Sequence, residues 1–238
     1  EAAITTKTRM VVLNSPSNPT GVCYSADELK AFAGILERHP HIVVASDDIY
    51  EHILWAEHPF SNILMECREL HERAVVLNGV SKTYSMTGWR IGYAAGPAPL
   101  IGAMKKIQSQ STSNPTSIAQ YAALEALNGD QSFIAEMNRV FKERHDVVVA
   151  GMNAIRGVEC LPAQGAFYLF PSFQGAMKAF PGCKTDVELA ELLLKEAGVA
   201  LVPGSAFGAP GCMRLSFATS MANLEEALRR LGSVLGTR

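Results

Sequence analysis

Asn78-Gly79-Val80-Ser81-Lys82-Thr83-Tyr84-Ser85-Met86-Thr87-Gly88-Trp89-Arg90-Ile91-Gly92-Tyr93 is the stretch on which the reading of this chain turns. A lysine stands between an apolar run and a loop punctuated by glycines, with a serine just before it and an arginine further along. An amine held by a partly buried scaffold loses some of its preference for the charged form and can attack a carbonyl carbon. An arginine offers a planar fork whose paired N–H groups match a phosphate. Taken singly, either side chain reads as an ordinary surface charge. The segment as a whole carries the weight.

Working outward, Met10-Val11-Val12-Leu13, Ile42-Val43-Val44-Ala45 and Ala74-Val75-Val76-Leu77 read as strands. Each is aliphatic or β-branched without strict alternation, the pattern of a sheet covered on both faces. Ser25 to Arg38 reads as a helix, with Ser25 as N-cap, Glu28 completing a capping box, and Leu29, Phe32, Ala33 and Leu36 at helical spacing. Ile91 to Ala95 is a fourth strand candidate, closed by Gly96-Pro97. This βαβ rhythm predicts an α/β fold with a mostly parallel sheet sandwiched by helices. Ligands of such sheets collect beyond the carboxyl ends of the strands. Asn18, Asp47 and Lys82 follow the first, second and third strand candidates in turn.

Downstream, Thr116 to Leu127 and Gln131 to Ile155 read as helices, with Asn128-Gly129-Asp130 as stop and restart. The remainder has another texture: a strand over Gly165–Phe170, an amphipathic helix over Asp186–Ala197, a strand over Met213–Ala218 and a closing helix over Ala222–Leu235. The expected division is 1–128 as part of a large domain, 129–156 as an interdomain helix, and 157–238 as a smaller α+β domain.

The run Ser-Lys-x-x-x-Met-Thr-Gly-Trp-Arg-x-Gly over residues 81–92 closely resembles the lysine signature of class I aminotransferases, the fold-type I pyridoxal-phosphate enzymes. The resemblance implies that Lys82 carries pyridoxal 5'-phosphate as a Schiff base and that Arg90 and Ser81 hold its phosphate. Asn18-Pro19-Thr20-Gly21 resembles the family's Asn-Pro-x-Gly loop, which would bring Asn18 to the cofactor's phenolic oxygen and to the substrate carboxylate. In Ser46-Asp47-Asp48-Ile49-Tyr50-Glu51, the family's Asp-x-x-Tyr spacing selects Asp47 for the pyridine nitrogen and Tyr50 for the phenolic oxygen; Asp48 reads as a solvated strand end or a cap. Met213-Arg214-Leu215-Ser216-Phe217 matches the context of the family's substrate-carboxylate arginine, Arg214, while the aromatics of Gly165-Ala166-Phe167-Tyr168 read mostly as core. The resemblance thus assigns Lys82, Asp47 and Tyr50 to catalysis.

Ser-Asp-Asp-Ile-Tyr-Glu-His together with the lysine segment looks most like bacterial aspartate aminotransferases of the class Ib type. The implied reaction moves an amino group from aspartate or glutamate to a 2-oxo acid. Two other readings stand beside it: another pyridoxal-phosphate reaction such as C–S β-elimination, and an aminotransferase-like effector-binding module without catalysis. Family members have a long portion ahead of the position matching Glu1, so the resemblance implies a piece of a larger, homodimeric enzyme.

Composition excludes several other classes. With 48% hydrophobic and 18% charged residues the chain is not a disordered one, and 21 basic against 23 acidic residues give no nucleic-acid or anionic-membrane partner. No apolar run has the length of a membrane span, and the first residues lack a signal peptide's apolar centre, so a cytoplasmic location is expected. The five cysteines are scattered and the six histidines unpaired in spacing, which predicts neither a disulfide framework nor a metal site.

Overall fold

The computed structural model describes residues 1–180 and 182–237. The chain forms two compact units: residues 1–16 with 23–134, and residues 17–22 with 135–238. Among the described residues no helix is long and apolar enough to cross a membrane.

The first unit is built on β1 (Met10–Asn14), α1 (Ala26–Glu37), β2 (Val43–Asp47), α2 (Ile63–Glu66), β3 (Ala74–Gly79) and β4 (Gly92–Ala95), followed by α3 (Ala98–Ser109) and α4 (Ser117–Asn128). The sheet order is β1-β2-β3-β4. The first two pairings are parallel and the last is antiparallel, as a mostly parallel sheet requires. Helix α1 begins where its sequence says it should. Ser25 Oγ accepts the Glu28 N–H while the Glu28 carboxylate accepts the Ser25 N–H, so the capping box answers two helix-end donors at once. Its apolar stripe, Leu29, Ala33 and Leu36, packs with Leu13, Ile42 and Val44, joined by Ile63 and Leu70.

Strand β1 departs from the expectation of two covered faces. Val11 and Leu13 turn towards the α1 cluster, but Met10 and Val12 are 52% and 59% exposed. Successive side chains of a strand point to opposite faces, and α1 covers only one of them. Helix α3 lies largely at the surface of this unit. None of its residues is fully buried, and Ile107 lies 73% exposed. Gln131 lies in the connection after α4: its amide donates to the carbonyls of Ala126 and Gly129, and its oxygen accepts the Tyr84 hydroxyl.

The second unit takes in α5 (Phe133–Asn153) from Ala135 onwards, β5 (Tyr168–Leu169), α6 (Gln174–Ala179), α7 (Asp186–Ala197), β6 (Val202–Pro203), β7 (Met213–Ser216) and α8 (Met221–Leu235). Its sheet runs β5-β7-β6, antiparallel throughout. The strand expected over Gly165–Phe170 shrinks to two residues. Gln164 and Gly165 both donate their N–H groups to the Gly21 carbonyl, and Ala166 turns into the left-handed region at φ 57°, so the segment bends before it can extend. Helix α7 matches its predicted limits, and Thr185 and Glu188 form a second capping box.

Replacing Thr185 by alanine should lower stability by about 1 kcal/mol, the usual worth of a hydroxyl N-cap. A denaturation midpoint equal to that of the unaltered chain would show that the box contributes nothing.

Candidate active site

The parallel strands of the first unit bring chemistry to one end of the sheet. Asn14 and Asp47, the last residues of β1 and β2, are register partners, and Asp47 pairs with Leu77 of β3. The Asn14 amide donates to the Asp47 carbonyl at 3.1 Å. Beyond β3, Gly79 leads into the lysine loop through a tight passage, where a Cβ would lie 2.8 Å from the Ile91 carbonyl oxygen. Lys82 is half-buried, and its Nζ stands 5.8 Å from the centre of the Tyr50 ring, itself buried. An ammonium over an aromatic face is favoured electrostatically at that separation. The structure therefore brings Lys82 and Tyr50 together and sets Asp47 at the end of the neighbouring strand.

The two aspartates have opposite surroundings. Asp48, read from sequence as a solvated strand end or cap, is only 2% exposed. Its carboxylate accepts from Ser46 Oγ and Asn62 Nδ2, both at 2.7 Å, and Asn62 also caps α2. Burial pushes the Asp48 carboxyl up, and its two donors pull it back. The sequence reading missed this because an acid's side-chain partner fourteen residues away leaves no local signal. Asp47 points to the opposite face and accepts one N–H, from Ile49 at 3.4 Å. Burial raises its pKa, and that single bond compensates only in part.

Ser81 lies half-buried at the head of the loop. Arg90 is exposed, sits in the left-handed region at φ 57°, and donates Nη1 to the Thr87 carbonyl at 2.9 Å. Among the described residues it forms no ion pair. A cleft of about 590 Å³ lined by Asn78, Tyr93, Ile101 and Met104 also belongs to this unit, but its lining includes none of Asp47, Tyr50, Ser81, Lys82 and Arg90.

The second unit holds Asn18 and Arg214. Residues 17–22 close on themselves through Gly21 N–H to Ser17 O and Ser17 N–H to Val22 O. Gly21 has φ +68°, and a Cβ there would come within 2.5 Å of the Ala163 Cβ, so this turn requires glycine. Arg214 Nη1 donates to Asn18 Oδ1 at 2.9 Å. Its guanidinium lies 4.6 Å from the Tyr168 ring centre and 5.2 Å from that of Phe207. Tyr168 is indeed buried, as the sequence suggested, yet it also forms one wall of the arginine's seat. Phe207 was not foreseen, because stacking across separate segments has no spacing rule in sequence.

Residues 1–231 match the family described as aminotransferase class I and II. The chain belongs to this family. It is 53% identical to the aspartate/prephenate aminotransferase of Nitrosomonas europaea, over 99% of this chain and 60% of that protein. To the aspartate aminotransferase of Geobacillus stearothermophilus it is 48% identical, again over 99% and 60%. The crystal structure of the aspartate aminotransferase from Rhizobium meliloti superposes with a TM-score of 0.94 at 48% identity, covering 99% of this chain and 60% of that one. The chain thus spans about three fifths of the length of the relatives it matches.

Class I and II aminotransferases depend on pyridoxal phosphate. The residues of the first unit suit that group. A carboxylate partly stripped of water and weakly compensated, Asp47, is suited to a protonated ring nitrogen. A guanidinium with no acid partner, Arg90, is suited to a phosphate. Lys82, over the Tyr50 ring, supplies an amine in the same unit.

Two substitutions separate the aspartates. Asp48→Ala should cost about 2–3 kcal/mol, because it leaves the Ser46 hydroxyl and the Asn62 amide unanswered in a buried place. Asp47→Asn should leave the cofactor-free chain at least as stable as before at about pH 7. Its folded pKa lies above the unfolded 3.8, so the folded chain binds more protons between the two values. The cost of ionised Asp47 is full above the folded pKa and gone below the unfolded one, and the advantage of the variant should vanish by about pH 3. Denaturant midpoints across that range check both statements; a destabilised Asp47→Asn at neutral pH would contradict the assignment.

Proposed function

We propose that the protein containing this chain is an aminotransferase that moves an amino group from aspartate or glutamate to a 2-oxo acid with pyridoxal 5'-phosphate as cofactor. The observation that carries this reading is the conjunction of Lys82 over Tyr50 with the undercompensated carboxylate of Asp47 at the adjoining strand end. The relatives named for aspartate as substrate support the choice of amino donor.

In this reading Lys82 Nζ would hold the cofactor and, when free, would accept the proton from the substrate's α-carbon. When bound, the cofactor supplies an electron sink for the negative charge that develops at that carbon. The Asp47 carboxylate keeps the ring nitrogen protonated, since an opposite charge nearby favours the ionised pair. Tyr50 would hold the phenolic oxygen and Ser81 and Arg90 the phosphate, which would orient the group before substrate arrives. Arg214 takes the substrate α-carboxylate through its planar fork, and the neutral Asn18 amide donates alongside it. We assign the working protein a homodimeric state and a cytoplasmic location, in line with the family and with a chain whose described helices cannot span a membrane.

With pyridoxal phosphate and a panel of amino donors, aspartate and glutamate should be converted to their 2-oxo acids with formation of the amine cofactor. Pyruvate and ammonia released from a sulfur amino acid, without a second amino acid formed, would replace this reading by β-elimination. Lys82→Ala should abolish the lysine-bound cofactor absorbance and lower turnover by about 10³-fold or more. Normal turnover in that variant would remove Lys82 from its role. Arg214→Lys should raise KM for aspartate roughly tenfold, because a point charge cannot reproduce a paired contact to carboxylate. An unchanged KM would detach Arg214 from the substrate.

A further inference from the structure

One buried polar side chain in the second unit is not used by the mechanism. His145, on α5, is 3% exposed. Its Nε2 accepts the Ala163 N–H at 2.8 Å, so the ring proton resides on Nδ1, which faces Asp146 Oδ1 at 2.9 Å. Phe217, the residue just after the strand β7 that carries Arg214, closes against the imidazole edge-on, with ring centres 6.0 Å apart. Burial favours the neutral ring that such an acceptor must be, while Asp146 opposes it and Lys142 assists it.

What Ala163 begins leads directly to the arginine's seat. The next two residues, Gln164 and Gly165, give their N–H groups to the Gly21 carbonyl at 2.9 and 3.0 Å. Gly21 is packed so closely under this segment that a Cβ would strike Ala163 Cβ, the Gly165 carbonyl and the Tyr168 carbonyl. The turn that Gly21 closes carries Asn18, whose Oδ1 accepts from Arg214, and the far end of the segment is Tyr168, whose ring lies against the same guanidinium. The 163–168 segment therefore touches the Asn18–Arg214 pair from two sides, and His145 fixes where it starts.

We propose that His145 is a positioning residue for recognition of the substrate's carboxylate: by accepting the Ala163 N–H it sets the 163–168 segment, which in turn sets Asn18 and Arg214. This inference rests on the carboxylate role given to that pair above. Nothing in it requires His145 to touch substrate or cofactor. An acceptor is needed at Nε2, and a side chain of similar bulk without one leaves a backbone donor buried and unanswered.

The test uses the full protein loaded with pyridoxal phosphate, with maleate as probe, a dicarboxylate that has no amino group to transfer. Maleate binding is measured by calorimetry beside steady-state turnover of aspartate. His145→Leu, which fills the space but cannot accept, should weaken maleate and raise the aspartate KM about five- to tenfold, the equivalent of one ordinary hydrogen bond. Its kcat should stay within about twofold, since the chemistry at Lys82 is untouched. His145→Gln, whose amide oxygen can take the Nε2 position, should restore binding to within about twofold of the original. Unchanged maleate affinity in His145→Leu overturns the proposal, as does a fall in kcat to match the loss of affinity, or a glutamine variant no better than leucine. Should the leucine variant not fold, a folded glutamine variant decides by itself: binding near the original supports the proposal, and a fivefold loss ends it. A wild-type protein that binds no maleate would reject the carboxylate role of Arg214, whereas wild-type binding with an indifferent leucine variant rejects only His145.

Discussion

The parallel register of β1, β2 and β3 is what the rest of the first unit depends on. Asn14 opposite Asp47 puts the ends of β1 and β2 at one level, and Asp47 opposite Leu77 lets β3 run two residues further, to Gly79, before the lysine loop. Only a parallel sheet delivers consecutive carboxyl ends to the same edge, and it does so whatever the loops contain. The ladder even continues one residue past β2, where the Asp48 N–H reaches the Leu77 carbonyl at 2.9 Å. With Asp48 tied to Ser46 and Asn62, the pleat leaves Asp47 only the other face. The fully satisfied aspartate is thus the reason the poorly satisfied one has a fixed direction.

That division explains what was legible in the sequence and what was not. Periodicity and end signals are local, so the helices bounded by Ser25 and Thr185 could be read to within a residue, and the strand ends that place Asn18, Asp47 and Lys82 in order to within two. The first unit's fold and its candidate residues followed from such signals together with one long motif. Asp48 was misjudged because burial is a property of the folded neighbourhood. Residues 165–167 were misjudged for a related reason. Their composition suits a strand, but a carbonyl from Gly21, more than a hundred residues earlier, captures the N–H groups of Gln164 and Gly165, and Ala166 turns into the left-handed region.

The second unit answers a different problem, how to hold a long flexible cation still. An arginine side chain loses considerable rotamer freedom on being fixed, and Arg214 recovers it through two aromatic walls and one hydrogen bond rather than through a salt bridge. Tyr168 serves the core and the arginine together, which is why reading it as core was correct but incomplete. The backbone around it is held by donors and acceptors with few alternatives: Gly21 at positive φ, two N–H groups on one carbonyl, and the buried imidazole of His145.

Across both units, the charged candidates are held by neutral groups, as Arg73 is by the carbonyls of Leu36, His39 and Ile42, whereas several other arginines of the chain are held by acids. Arg139 is paired with Glu136 and Glu143, Arg229 and Arg230 with Glu226, and Arg38 with Glu1. Among the described residues, Arg90 is instead oriented by the Thr87 carbonyl, Arg214 by the Asn18 amide oxygen, and Asp47 by the Ile49 N–H. A neutral partner fixes direction and leaves the net charge in place. An acid beside Arg214 would have to be displaced by an incoming carboxylate, and a base beside Asp47 by an incoming cation; each exchange would return about as much as it gained. Held by neutral groups, these three side chains keep their net charge, which is what the proposed role of each requires.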